Sequence, residues 1–308
     1  MMLLVDTVAV LNRVRKVTFL IAAPVLAIML TGCDAGAESS KSSVDASLLR
    51  AERVDERLAL PQALIRNAAS ARRDDKNADI AKTEPLLISS SEKAFDAGEM
   101  RKKILVSIEA TPGQYADVAA FDTATAALAD GYRAVDKMYA DKDEDFGKKI
   151  ETRLASPEAK STIEEVASLM ASPDLAAETA VTQQAISAVL TMETGSPALD
   201  PSSEEHKQLK ATLPSLLPEF RNRPDQGGAY SKESAKAFET AGLTFALATL
   251  TDKDLSALKS FYAGSYGKSK RQELLGAYQQ VWDAAATTML TTYIEELAKQ
   301  HPAAVKAQ

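Results

Sequence analysis

The 308-residue chain holds one cysteine and two histidines, so chemistry that depends on a thiol or an imidazole has to pass through Cys33, His206 or His301. A single thiol excludes an intrachain disulfide, a four-thiolate metal site and a two-cysteine redox centre. Neither histidine has a second His or a Glu at the helical spacing of zinc or di-iron sites. No Gly-x-Ser-x-Gly elbow presents a serine nucleophile, and both imidazoles are expected at the surface. The carboxylates offer one metal candidate. Asp141, Asp143 and Asp145 occupy the first, third and fifth positions of a calcium-loop pattern. The sixth position is Phe146 where a sharp turn needs Gly, and the twelfth is Thr152 where a bidentate Glu belongs. A weak calcium site therefore stands against a solvated acidic turn between helices.

Gly267-Lys268-Ser269 has the ending of a phosphate-binding loop, but Tyr262 stands where that loop needs its first glycine, and a helix precedes it where a strand is required. A helix corner is the simpler reading. No cofactor is expected. The one concentration of large side chains is Phe261, Tyr262, Tyr266, Tyr278, Trp282 and Tyr293. At helical spacing these read as core, with Trp282, Tyr278 and Tyr262 as the candidate ligand or partner groove if they are open.

The elements that must position these residues read as helices throughout. Apolar residues recur at helical spacing through Leu48, Leu49, Val54 and Leu58, through Met100, Ile104 and Ile108, and from Tyr115 to Ala140. Ser156-Pro157-Glu158 and Ser172-Pro173-Asp174 each supply a hydroxyl cap, a proline suited to the first helical position and an acid near the positive dipole end. Thr251-Asp252-Lys253-Asp254 has capping-box spacing. A last helix from about Ser269 to Lys299 carries Leu274, Tyr278, Trp282, Ala285, Met289 and Tyr293 on one stripe. No run of alternating strand residues occurs. The expected fold is all-α, a multi-helix bundle or array. Helical regions at 47–193 and 231–308 are joined by a Pro/Gly-rich connection at 194–230, which divides the chain into two helical subdomains.

Composition fits a core-forming chain, with 45% apolar and 26% charged residues. The formal charge is −7. Arg13, Arg15 and Lys16 against Asp6 give the first 33 residues a net +2, which leaves −9 on the rest. With no basic patch to override it, that charge repels nucleic acid.

The N-terminal order is basic residues, then an apolar run from Val17 to Leu30, then Leu30-Thr31-Gly32-Cys33. A Val17–Leu30 helix would rise only about 21 Å, short of a hydrocarbon core of about 30 Å, so it reads as a signal segment over 1–32 rather than a stable span. The four residues ending at Cys33 resemble the lipobox of bacterial lipoproteins. That resemblance implies cleavage between Gly32 and Cys33, diacylglycerol on the thiol and acylation of the new amino group. Residues 33–46 are then the lipidated cysteine and a flexible tether. Asp34 resembles the signal that holds such proteins at the inner membrane, which implies its periplasmic face, with the outer membrane as the alternative. Leu250-Thr251-Asp252-Lys253-Asp254-Leu255, followed by Leu258, Phe261-Tyr262 and Gly264, resembles the C-terminal helical pair of a family of bacterial envelope proteins without assigned chemistry, so no catalytic residue follows from it. The expected function is a membrane-anchored envelope lipoprotein that is not an enzyme. It would bind a protein or envelope component through a helical surface. The alternative is a periplasmic hydrolase with an unmarked carboxylate site.

Overall fold

The computed structural model describes residues 44–72, 80–109, 114–190, 197–222 and 232–300. Among these there are thirteen α-helices, one short 3-10 turn and no strand. The helices are α1 Val44–Ala51, α2 Val54–Leu58, α3 Pro61–Arg72, α4 Ile80–Ala94, α5 Ala97–Glu109, α6 Val118–Asp141, α7 Glu144–Ala155, α8 Pro157–Met170, α9 Pro173–Leu190, α10 Glu204–Asn222, α11 Lys232–Leu247, α12 Asp252–Ala263 and α13 Ser265–Gln300. The all-α array expected from the helical periodicities is what forms. The first helix begins at Val44, so the last three residues of the expected tether belong to the folded body.

The starts marked by capping residues hold. Pro157 and Pro173 open α8 and α9. Thr251 and Asp254 form a reciprocal capping box at α12, which satisfies two amide donors that a helix start otherwise leaves unpaired. The corner between α12 and α13 is tight because Gly267 lies buried against the carbonyl of Phe261, where a Cβ would overlap that backbone oxygen. Gly131 plays a similar part on α6. A Cβ there would meet Thr249 and the Ala246 carbonyl, so α6 and the end of α11 approach at backbone distance.

Residues 204–222 depart from the expectation of a proline-rich loop. The helix α10 runs straight through Pro214 and Pro218. Each proline removes an amide donor at a general cost of about 3 kcal/mol. The helix persists because Leu213 and Leu217 are both buried, at 2% exposure, on its inner face. Tertiary burial outweighs the local penalty.

At 1.5 Å per residue the 36-residue α13 is about 54 Å long. It packs most extensively on α4 and α5 and also meets α9, α10 and α12. One hydrophobic cluster extends from Val44 through Ile104, Phe121 and Ile186 to Leu297. Residues Ser42–Gln308 accordingly form a single unit. Within the expected connection, residues 197–222 add Leu199, Leu213 and Leu217 to that same core. Among the described residues no helix is long and apolar enough to cross a membrane.

Candidate functional site

The densest set of ionisable side chains lies where α1, α2, α8, α9, α11 and α13 converge. Glu52 follows α1 and is 4% exposed. The next residue, Arg53, takes a left-handed conformation with φ 53° that turns the chain into α2. Arg271 reaches Glu52 from the second turn of α13, with Nε 2.8 Å from Oε1. The same guanidinium donates to the carbonyl of Leu169 at 2.8 Å and to that of Met170. These carbonyls end α8, where acceptors lack helical partners and the dipole favours a cation. Glu239 on α11 completes the corner. It accepts from Arg57 and from the backbone amide of Ser172 at 3.0 Å. Arg57 also donates through Nε to the Glu52 carbonyl at 3.0 Å.

Two tyrosines wall this cluster. The Arg53 guanidinium lies 4.4 Å over the Tyr132 ring, and that of Arg271 lies 5.2 Å over Tyr262. Burial, reinforced by the charge of Glu52, holds the Tyr262 phenol well above its ordinary range. Burial does the same to Tyr132, against the opposing pull of Arg53. Burial disfavours the charge on Arg57 and Arg271, but Glu239 for the first and Glu52 for the second hold both above the usual guanidinium value.

A second ionic group lies further along the same interior. Glu178 of α9, 1% exposed, accepts both arms of Arg221 at 2.6 and 2.7 Å. Arg221 also donates to Asp283 of α13 at 2.8 and 3.2 Å. Gln279 adds a bond to Glu178 at 2.7 Å. Tyr278 links the two groups. Burial raises its pKa, Arg57 opposes that shift and Glu178 adds to it. A third ion, Lys270, is 2% exposed and held by Asp45 at 2.8 Å and the Ile108 carbonyl at 2.6 Å.

The chemistry open to this arrangement follows from its pairing. Glu178 spends both carboxylate oxygens on Arg221 and one of them also on Gln279, so its lone pairs are engaged within the chain. A tyrosine held neutral is a poor nucleophile. The spine therefore fixes helices from both ends of the sequence against one another. Its members went unmarked in the sequence although a signal existed. Glu178 falls three residues after Leu175 and three before Val181, on the buried stripe of α9. Lys270 falls four before Leu274 on the stripe of α13. A charge on an apolar stripe implies a buried partner.

The candidates from the sequence fare differently. Gly32, Cys33 and Asp34 lie outside the described residues, as does His301. Tyr262, Tyr278 and Trp282 line no open groove. They are 3%, 3% and 1% exposed. Tyr278 stacks on Trp282 with centroids 5.4 Å apart, Phe95 meets Trp282 edge-on, and the indole donates to Thr182 at 2.7 Å. Tyr262 belongs to a separate cluster with Phe121 and Phe261. All three are core, because helical spacing turned them inward. At the acidic turn, Lys142 ends α6 with φ 56° and Asp143 caps α7 by accepting from the Phe146 amide at 3.0 Å. Asp145 pairs with Lys148 at 3.5 Å. No group of three or more His, Cys, Asp or Glu side chains placed to hold a metal ion occurs among the described residues. His206 is 7% exposed instead of lying at the surface, because its ring is drawn in to the Ala198 carbonyl. Gly267-Lys268-Ser269 lies in the first turns of α13, as a helix corner.

Fold and site together define an all-helical array braced by a buried ionic spine. Comparison with protein-family models, with curated proteins and with solved structures finds no match to this chain.

Proposed function

We propose that this protein is a lipid-anchored lipoprotein of a bacterial envelope and that it works by binding a protein or envelope component through its helical surface. The observation that carries the reading is Leu30-Thr31-Gly32-Cys33 placed directly after a basic and then apolar segment, with the only thiol of the chain at its end. The structure of the body is compatible with a binding role. A carboxylate hydrolase needs an acid free to exchange a proton beside substrate. Glu52, Glu178, Glu239 and Asp283 are instead each bonded to a guanidinium of the same chain.

The test is expression of the full chain in a bacterium fed an alkyne-bearing fatty acid, followed by membrane fractionation and mass measurement of the N-terminal peptide. The reading expects label on Cys33, a mature chain that starts there, and loss of both label and membrane retention in Cys33→Ser. An unmodified Cys33 in a soluble protein would overturn it. Photo-crosslinking in the native envelope then tests the binding half, and recovery of the protein with no crosslinked component counts against it.

A further inference from the structure

Between Val44 and Leu58 the sequence and the structure disagree about where a helix ends. Val44, Leu48, Ala51, Val54 and Leu58 follow one another three or four residues apart and are all buried, which is the stripe of one continuous helix. No Gly, Pro or Asn interrupts the stretch, and Ala51-Glu52-Arg53 are good helix formers. The structure nevertheless breaks it. Arg53 turns the chain from α1 into α2 at φ 53°, a left-handed conformation that a residue with a Cβ adopts at a cost and that Gly takes freely.

The bend seats α1 on its own body. There α1 packs mainly on α6, with Leu48 and Leu49 fully buried. Ser47 donates to Asp122 at 2.7 Å, Arg50 pairs with the same carboxylate at 3.1 Å, and Asp45 lies 2.8 Å from the buried Lys270 ammonium. All of these partners follow the Arg53 bend in sequence, so a second copy of the chain offers the same seat.

A short helix attached through a strained one-residue hinge, and seated wholly on later residues, has two ways to be satisfied. In the first it folds back at Arg53, as here. In the second the bend relaxes into one helix from Val44 to Leu58, which carries α1 onto the body of a neighbour. We infer that two copies of this chain exchange α1 in that way and form a two-fold dimer. The contacts of α1 with α6 and Lys270 are rebuilt across the pair. Glu52, whose amide still bonds to the Leu48 carbonyl at 2.9 Å, travels with α1, so its pair with Arg271 is rebuilt as well. The exchange also removes the left-handed residue from each chain. Opposing it are contacts made only at the bend, the Arg53 guanidinium over Tyr132 and the Arg57 bond to the Glu52 carbonyl. The closed form therefore persists at low concentration, and the dimer grows by mass action. This inference goes beyond the envelope-binding reading and does not depend on the lipid anchor.

The test uses the full chain carrying Cys33→Ser, in a large excess of detergent micelles, so that neither the native thiol nor a shared micelle joins two copies. One batch also carries Ser47→Cys and another Asp122→Cys, positions whose side chains meet in the closed fold. The two are unfolded in urea, mixed, refolded at submillimolar concentration and treated with a short bismaleimide. Covalent heterodimers are expected, together with a dimer in sedimentation whose share rises with concentration. Arg53→Ala and Arg53→Gly both remove the guanidinium and differ in what they ask of the backbone. Arg53→Ala, which favours the straight helix, is expected to dimerise at least about ten-fold more tightly than Arg53→Gly, which takes the bend without strain. A chain that stays monomeric even with Arg53→Ala, a dimer that gives no crosslink between the two cysteines, or equal dimerisation of the two Arg53 variants overturns the exchange. Because Cys33 is absent from these chains, the outcome stands whichever way acylation of Cys33 is decided.

Discussion

Replacing Arg221 with alanine removes the guanidinium shared by Glu178 and Asp283. In the parent, four bonds of 2.6 to 3.2 Å join the three side chains. The variant leaves a carboxylate that is 1% exposed with Gln279 as its remaining side-chain donor, beside a second one that is 23% exposed. Breaking a buried pair from one side typically costs about 3–5 kcal/mol, because the other charge stays desolvated without compensation. With the Arg221 side chain 20% exposed, the low end applies, about 3 kcal/mol. Glu178→Gln leaves Arg221 with Asp283 and removes one charged acceptor, for about 1.5 kcal/mol. The triple change Glu178→Leu, Arg221→Met, Asp283→Leu removes the desolvated charges together and is expected to recover most of the parent's stability. Urea unfolding followed by helical circular dichroism and by emission of Trp282, the one tryptophan, measures all three. Trp282 adjoins Asp283 in sequence and bonds to Thr182, one turn from Glu178, so it reports on this group directly. If Arg221→Ala lies within about 1 kcal/mol of the parent, or if the two single variants cost the same, the spine is not the brace described here.

Gly267→Ala is expected to destabilise by several kcal/mol, since its methyl would collide with the Phe261 carbonyl, whereas Gly276→Ala, with open space around it, should stabilise α13 by up to about 1 kcal/mol; thermal melts of the pair check both signs. Thr251→Ala breaks the α12 capping box and should cost about 1 kcal/mol, read from the urea midpoint. The phenols of Tyr132, Tyr262, Tyr278 and Tyr293 keep their protons more tightly folded than unfolded, with burial pushing Tyr293 up to about 12. Their contribution is therefore complete below pH about 10 and lost as pH rises beyond it, by at most about 1.4 kcal/mol per unit for each tyrosine. Tyrosinate absorbance and circular dichroism followed together should change in one cooperative step; tyrosinate absorbance complete well before the helices melt would contradict the shifts.

The helical fold was legible because its signals are local. Pro157, Pro173 and the Thr251–Asp254 box act within one turn, and the stripe of Trp282, Met289 and Tyr293 repeats at the period of its own helix. What misled was local as well. Pro214 and Pro218 carry a loop signal that the burial of Leu213 and Leu217 overrides, and that burial depends on partners distant in the chain. The ionic spine was harder still. Arg271 and Glu52 lie 219 residues apart, and no spacing rule couples them. Only the misplaced polarity of Glu178 and Lys270 on apolar stripes hinted that partners existed. His206 was misjudged for the same reason, since its polar neighbours in sequence do not reveal that Ala198 folds back over the ring.

The position of α13 also bears on when the molecule can exist. Its 36 residues end at Gln300, yet they supply the surface against which α4 and α5 bury Leu87, Met100 and Ile104. A chain delivered from its N-terminus has more than two hundred residues in hand before that surface arrives. Contacts so distant in sequence form late and slow the final assembly. Until then α4 and α5 lack the partner they pack on most, although the other helices before α13 already meet one another.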